Sequence, residues 1–460
     1  EQDFHVHTSI ARKIISKWED SLKTFRCLNR VRFQHPNYPV FIDVSIVKSS
    51  IKSKNIAIPK YTIQDANVFQ NPEEYEIEIE VDNKRVGTES EYQRAEFLLQ
   101  NMRKCIRIIL SGLQKTKYPI SYQEQKQILF KYLTVIHGDE HKIERPTPRY
   151  FIGPTSSTLQ IENISEDVET SVVPNIRKNY TVTDKADGER YLLYIDDTGK
   201  IYLIDMNMNV LFTGTFTKEK SIFNSIIDGE YIKNNKQGNP IQLFAAFDVY
   251  YVNNKKYMNY PLHVEHNDEN KEQPISRLYI LQNLINVINP HSILEYKSKN
   301  EVVPKDKLHV EFRVKMKSFH ATSNNSSIFK ACSLILADVE DNAYEYETDG
   351  LIFTPSDLYV GASKPEEKMD ITSKQNWPYV MKWKPPEFNT IDFLVSVKKD
   401  SAGKDLIRNI YQDGSNNGGS QNILQYKTLI LRCGFDPKKH GYINPSQDLY
   451  DASYKDESYD

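Results

Sequence analysis

The clearest chemical feature of the sequence is a lysine that stands near a carboxylate and a guanidinium. Alternating residues over 180–195 predict a strand, a tight turn at Gly188 and a second strand, which would place Lys185 at a strand end facing a cleft. Asp187 and Arg190 lie close by, a combination expected where a lysine amine handles a polyanionic nucleotide. The same Lys-x-Asp-Gly pattern is also ordinary hairpin chemistry with a solvated lysine, so the pattern alone leaves both interpretations open.

Acidic residues occur further along the chain in segments that otherwise predict apolar strands. Asp228 and Glu230 are separated by one glycine inside such a segment. Asp248 stands among aromatic residues, and Asp349 precedes a glycine at the start of another apolar strand. Because buried acids need partners, these positions are candidates for a polar site.

Basic residues at a spacing of two accompany these acidic strands. Lys382 and Lys384 would point to one side of a strand, where a phosphate could neutralise them. The alternating segment 310–319 also carries three basic residues on one face. Neither a GxxxxGKS nor a GxGxxG pattern occurs, so phosphate binding must come from side chains.

The N-terminal part predicts three antiparallel strands with one polar face. Segments 30–33, 41–48 and 75–81 alternate, and we expect the apolar face of the third to be packed. The polar face carries Arg30, Arg32, Asp43, Ser45, Glu76, Glu78 and Glu80. Such a face fits an exposed edge protected by charge. It also fits the hydrophilic interior of a barrel, where arginines and Mg²⁺ or Mn²⁺ neutralise the glutamates.

Length and composition restrict the class of protein. The 460 residues allow two or three domains, and no apolar run approaches the about 18 residues of a membrane span, so we expect a soluble protein. The four cysteines are far apart, which indicates reduced thiols in an intracellular protein and leaves any metal to oxygen ligands. A net charge of −3 excludes a uniformly basic nucleic-acid coat but allows a local basic groove.

Helical patterns and a proline-rich segment organise the rest of the chain. Apolar residues recur at helical spacing between 91 and 113, and Ser121 with Glu124 predicts the capped start of a second helix. We expect both helices to pack through their apolar faces. A further helix is predicted over 275–288, where an Asn-Pro pair ends it. Residues 144–175 are rich in proline, serine and threonine and predict the crossing between domains.

Together these residues resemble the ordered motifs of the covalent nucleotidyltransferases, which include messenger-RNA guanylyltransferases and DNA and RNA ligases. The five motifs correspond to residues 185–190, 228–230, 247–248, 349–353 and 382–385, the last followed by 389–393. The last motif, with Trp383 and its Asn-Thr-Ile-Asp-Phe tail, looks like that of capping enzymes and not like that of ligases.

The N-terminal strands resemble the later strands of the tunnel-type, metal-dependent RNA triphosphatases. A triphosphatase fused ahead of a guanylyltransferase is the arrangement of capping enzymes of large cytoplasmic DNA viruses, of the mimivirus, asfarvirus and poxvirus kind. The sequence departs from that pattern, because the first Glu-x-Glu strand is missing before residue 30, motif VI is not visible before residue 460, and no methyltransferase glycine motif follows. We therefore expect an internal fragment of a longer polypeptide, or a chain that lacks its ends.

The resemblance implies an α+β fold in three parts. An incomplete antiparallel β tunnel of the triphosphatase kind, with its helices, is expected in residues 1–143. A nucleotidyltransferase domain of the ligase type, similar to ATP-grasp, is expected in residues 144–390. A partial OB-fold is expected in residues 391–460.

The resemblance also implies mRNA 5′ capping in two steps. Lys185 attacks the α-phosphate of GTP, pyrophosphate leaves, and the 5′-diphosphate end of RNA then takes the GMP from a lysyl-N-GMP intermediate. Because a protonated lysine is a poor nucleophile, Lys382, Lys384 and a Mg²⁺ on Glu230 and Asp349 are implied to favour the neutral amine by like-charge repulsion. They would also neutralise charge that builds on the α-phosphate.

Nucleotide-binding roles follow from the same resemblance. Arg190 holds the ribose, Asp187 belongs to the substrate-binding set, and Phe247 stacks on guanine. Lys317 reaches the base O6, although the short flanking match leaves Lys315 as an alternative.

The remaining implied roles concern the motif V tail and the N-terminal module. Asp392 orders the motif V lysines. Arg30 and Arg32 meet the RNA triphosphate, and Glu80 is the first-ranked metal ligand. The full implied ligand set of that module is Glu76, Glu78 and Glu80.

The implied partners are GTP, an RNA 5′ end as a triphosphate and then a diphosphate, and Mg²⁺ or Mn²⁺, with no membrane. A methyltransferase domain in the same full-length polypeptide is a further candidate partner. The implied location is the cytoplasm, in a viral factory or virion. Two alternatives remain open: an ATP-dependent DNA or RNA ligase that uses the same lysine, and a catalytically silent RNA-binding scaffold.

Overall fold

A computed structural model gives the chain a mixed α+β fold that is rich in strands, which confirms the predicted fold class. The structure describes residues 17–432 except 19, 55, 91, 167–172, 266–273, 295–310, 323–326, 371, 372, 374, 389, 391, 392, 402 and 412–422. Of the predicted site residues, Asp392 therefore lies outside the described residues.

The strands and helices are distributed along the whole described chain. The strands are β1 (Arg26–Gln34), β2 (Val40–Ser49), β3 (Lys52–Ser53), β4 (Ile56–Ala57), β5 (Glu74–Val81), β6 (Pro154–Thr158), β7 (Tyr180–Ala186), β8 (Glu189–Ile195), β9 (Lys200–Asp205), β10 (Val210–Phe216), β11 (Ser225–Asn234), β12 (Pro240–Val252), β13 (Lys255–Lys256), β14 (His291–Ser292), β15 (Arg313–Met316), β16 (His320–Ala321), β17 (Thr348–Pro355), β18 (Gln375–Trp383), β19 (Leu394–Val397), β20 (Ile407–Tyr411), β21 (Ile423–Lys427) and β22 (Leu429–Arg432). The α-helices of the described residues are α1 (Ala95–Gln114), α2 (Tyr122–His137), α3 (Arg277–Ile288) and α4 (Ile328–Glu340).

The chain forms two compact units, each built from separate stretches of sequence. The first comprises Glu1–Thr155, Gly188–Lys317 and Ser356–Asn376, and the second comprises Ser156–Asp187, Ser318–Pro355 and Trp377–Asp460. Both units draw on the predicted domain over 144–390, so the compact units cut across the predicted boundaries. The predicted site residues are divided between the units in the same way.

The N-terminal strands of the first unit form an open three-stranded sheet in the order β1-β2-β5. One face carries the predicted polar residues. The prediction that the opposite, apolar face is packed is wrong for the described residues, because Phe33, Tyr75 and Ile77 are 54%, 72% and 40% exposed. No layer of the described chain covers that face, and a closed tunnel stays a prediction.

The larger sheet of the first unit has the order β13-β12-β11-β8-β9-β10-β14, with β15 parallel to β12. Both of its faces are covered, which explains why its strands are almost continuously apolar. Leu192 and Tyr194 face a core that includes α2, whereas Leu193 and Ile195 face a core that includes α3. Because both faces of this sheet are closely packed, the few polar side chains on its strands are held in fixed positions.

The first two helices differ in how well their sequences predicted them. Ser121 caps α2 by accepting a hydrogen bond from the backbone N–H of Glu124, as the sequence predicts. The apolar stripe predicted to pack along α1 stays largely outside the core, since only Cys105 is buried and Leu99 and Leu113 are 49% and 56% exposed.

The second unit has a five-stranded sheet in the order β16-β7-β17-β18-β6. Helix α4, which the sequence analysis missed, packs on this sheet through Ile328, Ala331 and Ile335. Ser327 caps the helix by accepting from the backbone N–H of Lys330. Further along, the described strands form two separate pairs, β19 with β22 and β20 with β21. The OB-fold stays a prediction.

Candidate active site

The predicted nucleophile lies at the end of β7 in the second unit and contacts an acidic residue of the neighbouring strand. The Nζ of Lys185 donates to Oδ1 of Asp349 at 2.6 Å, and the Nζ of Lys384 lies 2.7 Å from Oδ2 of the same carboxylate. The side chains of Lys185 and Asp349 are only 19% and 12% exposed. One carboxylate therefore holds two ammonium groups together in a partly buried site, and the three residues come from three motifs that are distant in sequence.

Backbone geometry at Gly350 makes this arrangement possible. Gly350 has a φ of 141°, and a Cβ built on it would lie 2.0 Å from the backbone oxygen of Trp383. Because β17 and β18 approach so closely, Asp349 and Lys384 can meet across the two strands. Any residue with a Cβ would force these strands apart.

The charge of Asp349 is set by competing effects. Burial raises the pKa of this carboxyl, but the hydrogen bonds from Lys185 and Lys384 outweigh burial and hold the pKa below its ordinary value. The carboxylate therefore stays ionised at neutral pH. It can fix both amines until an anionic substrate competes for them.

A second acid beside the nucleophile was not assigned a role from the sequence. Asp184 is 1% exposed and accepts hydrogen bonds from the hydroxyls of Tyr346, at 3.1 Å, and Thr183, at 3.3 Å. Since neighbouring residues of a strand point to opposite faces, these contacts fix β7 on the side away from Lys185. An acidic residue inside an apolar strand was the available signal.

Lys382 and Asp187 are placed less tightly than the other residues of the second unit. Lys382 pairs with Ile352 between β18 and β17, and its side chain makes no ion pair among the described residues. Asp187 is exposed, and its backbone N–H donates to the oxygen of Glu347 at 2.8 Å. The structure therefore brings Lys384, and not Lys382, to the carboxylate that holds Lys185.

In the first unit, a buried network fixes the predicted ribose-binding arginine. Arg190 donates from Nε to Oδ1 of Asp228 at 3.0 Å, and also donates to Oδ2 of that carboxylate and to the oxygen of Pro154. Tyr250 donates its hydroxyl to the same Asp228. The pKa of Tyr250 is raised well above its ordinary value, mainly by burial and secondly by the nearby carboxylates. Its hydroxyl therefore keeps the proton that it donates. The sequence did not identify Tyr250.

The predicted base-stacking residue lies next to this arginine. Phe247 is the only residue from 243 to 251 that is not buried, and its ring centroid is 5.9 Å from the Arg190 guanidinium. A half-buried ring on a buried strand is available for stacking, which favours the predicted role over core packing.

The two lysine alternatives for the base contact differ in burial. Lys317 is 5% exposed, and its backbone N–H donates to the oxygen of Ala246, one residue before Phe247. Lys315 is exposed. The position of Lys317 therefore favours it over Lys315 for the assigned contact.

The strand that carries Phe247 is anchored by a fully buried arginine. Arg277, the first residue of α3, donates to both oxygens of Asp248 at 2.8 and 3.2 Å. It also donates to the backbone oxygens of Tyr260 and Leu358. The partner that the sequence required for Asp248 is thus a positioning residue from another element.

Arginines bind the polar face of the N-terminal sheet, as the sequence predicted. Arg30 donates to Ser45 and Asp43, each at 3.1 Å, and Arg32 donates to both oxygens of Asp43 at 2.7 and 2.6 Å. Hydrogen bonding from Arg32 is the main reason that the pKa of Asp43 is lowered. The side chain of Asp43 is fully buried beneath these guanidinium groups.

The glutamates of the same sheet are also engaged by arginines. The pairs are Arg26–Glu76, Arg30–Glu78 and Arg32–Glu80. Each carboxylate assigned to a metal in this module is therefore neutralised by an arginine. In this structure the three glutamates do not fit a metal site.

The side chains that could bind a metal are not clustered in the described part of the chain. Within it, no group of three or more His, Cys, Asp or Glu side chains could hold a metal ion. Mg²⁺ carried by substrate phosphates needs only one or two protein carboxylates. Glu230, on β11 of the first unit, and Asp349, on β17 of the second, are carboxylates of this type, and in this structure Lys185 and Lys384 engage the oxygens of Asp349. No helix of the described part is long and apolar enough to cross a membrane.

Comparisons with known proteins agree with the motifs. Residues 175–386 match the family model described as mRNA capping enzyme, catalytic domain, and this range contains all five motifs without the tail at 389–393. A probable mRNA-capping enzyme of Acanthamoeba polyphaga mimivirus is 26% identical over 402 residues, which cover 82% of this chain and 30% of that protein. The similarity to the viral protein therefore extends beyond the matched domain.

Cellular capping proteins are similar over shorter stretches. The mRNA-capping enzyme of Danio rerio is 26% identical over 273 residues, 56% of this chain and 39% of that protein. The mRNA-capping enzyme subunit alpha of Neurospora crassa is 26% identical over 235 residues, 47% of this chain and 48% of that protein. The chain spans less than half the length of each of these relatives. The resemblance drawn from the motifs is confirmed at the level of the family.

Proposed function

Because residues 175–386 belong to the family of mRNA capping enzyme catalytic domains, we propose that the chain transfers GMP from GTP to 5′-diphosphate RNA through a covalent bond to Lys185. The observation that carries this proposal is the placement of Lys185 and Lys384 on the two oxygens of Asp349. Two amines gathered by one carboxylate can attract a polyphosphate and offer it a nucleophile.

In the first proposed step, Nζ of Lys185 attacks the α-phosphorus of GTP. The P–N bond forms while the bond from the α-phosphorus to the bridging oxygen breaks, pyrophosphate leaves with the electron pair, and the amine gives its proton to solvent. Because only a neutral amine has a free lone pair, the contact with Asp349 must loosen before attack. Lys384, once released, can stabilise the negative charge that develops on the phosphate.

In the second proposed step, a terminal oxygen of the RNA diphosphate attacks the same phosphorus. The P–N bond breaks, and Lys185 regains a proton. Glu230 and Asp349 would hold Mg²⁺, which when bound neutralises charge on the phosphates.

The remaining nucleotide contacts are proposals with different support. Arg190, oriented by its buried carboxylate, would bind the ribose, and Phe247 would stack on the base with Lys317 at its O6. Asp187 is proposed to bind substrate and Lys382 to neutralise charge on the α-phosphate. Their sequence motifs support these roles, since in the described structure neither side chain contacts Lys185, Asp349 or Lys384. Asp392 is proposed to order the motif V lysines.

Incubation with α-labelled GTP, followed by denaturing electrophoresis, tests the proposal. We expect label on the protein, no label on Lys185→Arg, and normal labelling of Lys178→Arg, an exposed lysine of the same unit. Label retained by Lys185→Arg would refute the assigned nucleophile. Label acquired only from ATP would favour a ligase, and RNA binding without label from either nucleotide would favour a silent scaffold.

A second proposed activity is removal of the RNA γ-phosphate by the N-terminal module. Arg30 and Arg32 on one sheet face support it, because paired guanidinium groups are suited to binding a triphosphate. The engaged glutamates support no metal-dependent step in this structure. Release of γ-phosphate from triphosphate-ended RNA is the test, and release that survives replacement of both Arg30 and Arg32 by alanine would refute the role given to these arginines.

A further inference from the structure

A cavity of about 570 Å³ lies in the first unit, between the C-terminal half of α1 and the strands of the larger sheet. Its walls come from α1, from the segment after that helix, and from β10 and β11. Its volume falls in the range of ligand-binding pockets, about 300–1,000 Å³. None of the motifs of the sequence lies in this cavity.

Aromatic rings form much of its lining. The rings of Tyr118 and Phe212 lie 6.3 Å apart at 73°, and those of Tyr231 and Phe312 lie 6.3 Å apart at 48°. Phe212, Tyr231 and Phe312 are buried, whereas Tyr118 is half-buried and presents its ring to the cavity. The ring of Tyr118 rests on Gly214, where a Cβ would lie 2.2 Å from it, so the backbone itself supports the ring.

Cations line the same cavity. Lys117 is neutralised by Glu311, whose two oxygens are each 2.9 Å from its Nζ. Arg107 and Lys115 form no ion pair among the described residues, and Glu189, whose carboxylate interacts electrostatically with Lys115, is itself paired with Lys233. Three cations against one carboxylate leave the cavity with an excess of positive charge. A matching ligand therefore combines a flat ring with an anionic group.

We propose that this cavity binds a single nucleotide, with its base against Tyr118 and its phosphate on Arg107 and Lys115. Aromatic rings accept any base by stacking, and nearby cations follow the phosphate, which is how proteins bind single-stranded nucleic acid without reading sequence. The nucleotide can be one residue of an RNA chain or a free mononucleotide, since both present the same groups. The cavity contains none of the residues assigned to GMP transfer, and the proposal does not depend on that activity.

The test measures binding to the full chain by fluorescence anisotropy, with a labelled ten-residue single-stranded RNA and, separately, labelled CMP. CMP is used because its base is not that of the proposed GTP substrate. The cavity variants are Tyr118→Leu, which keeps an apolar side chain, Arg107→Gln, and Lys115→Asn, which suits the left-handed backbone at that position. Lys126→Gln, at an exposed position of α2 outside the cavity, is the matched control.

We expect Tyr118→Leu to lose about 5- to 150-fold in affinity, the range of one stacked base, and Arg107→Gln and Lys115→Asn to lose affinity through their phosphate contacts. Loss of RNA affinity alone identifies an RNA residue as the ligand, and loss of CMP affinity identifies a mononucleotide. Unchanged affinities for both probes in all three variants would overturn the proposal, as would an equal loss in Lys126→Gln. Labelling by GTP should persist in the cavity variants, which reports that they fold and separates this outcome from any failure at Lys185.

Discussion

Replacement of Asp228 by asparagine should destabilise the chain by about 3–5 kcal/mol, because it leaves a buried arginine without its counter-charge. The side chain of Asp228 is fully buried and that of Arg190 is 18% exposed. Two hydrogen bonds from Arg190 and one from Tyr250 converge on this carboxylate. Each bond to a charged group contributes about 1.5–3 kcal/mol, so Tyr250→Phe, which removes one bond and keeps the charge, should cost less than Asp228→Asn.

Urea unfolding followed by far-ultraviolet circular dichroism measures these differences. The informative comparison is the double variant Asp228→Asn with Arg190→Met, which removes both charges. It should be more stable than Asp228→Asn alone, because most of the cost of the single change is the unpaired guanidinium. A double variant no more stable than Asp228→Asn alone would refute this account of the network, as would a cost below about 0.5 kcal/mol for Asp228→Asn.

Three further predictions address single sites. Lys384→Met should slow labelling by GTP about 100-fold, which is the effect of removing one donor that stabilises developing charge. Lys382→Met should have a much smaller effect, and equal effects of the two variants would contradict the placement of Lys384 at Asp349. Gly350→Ala should destabilise by about 3 kcal/mol or more in urea unfolding, whereas Gly112→Ala, in open space on α1, should be neutral or stabilising. Burial lowers the pKa of His137, so the unfolded chain takes up this proton first and stability should fall as pH drops below about 6.5; a His137→Gln variant with the same slope would contradict this.

Local periodicity predicted the strands that carry the candidate site residues. Alternation over 180–195 gave β7 and β8, and the acid–glycine pairs pointed to β11 and β17. The contact of Lys185 with Asp349 was not visible in sequence, because 164 positions separate them and only strand pairing brings them together. The order of the five motifs along the chain indicated that these distant residues belong to one site, which the spacing of residues within each motif could not show.

Tertiary packing explains the errors. An apolar stripe predicts that a helix or strand can be buried but does not say what covers it, and the described residues leave Leu113 of α1 and Tyr75 of β5 largely exposed. The metal role of the N-terminal glutamates rested on their shared face. The same spacing allows each glutamate to meet an arginine of β1, which is the arrangement in the structure.

The sequence also did not identify the residues that pair with the buried acids. Asp228 and Asp248 were recognised as needing partners, but Tyr250 and Arg277 were not identified. Their types are ordinary for core and helix-start positions. Only the fold shows that their polar atoms face a carboxylate.

The most direct test of the central claim is to identify the atom that carries GMP. After reaction with GTP, digestion with trypsin and mass spectrometry should find one GMP on the peptide 179–190, which contains Lys185 as its only lysine. The linkage should be labile to acid and stable to alkali, as a P–N bond requires. GMP on a different peptide, or an acid-stable linkage, would contradict the proposed role of Lys185.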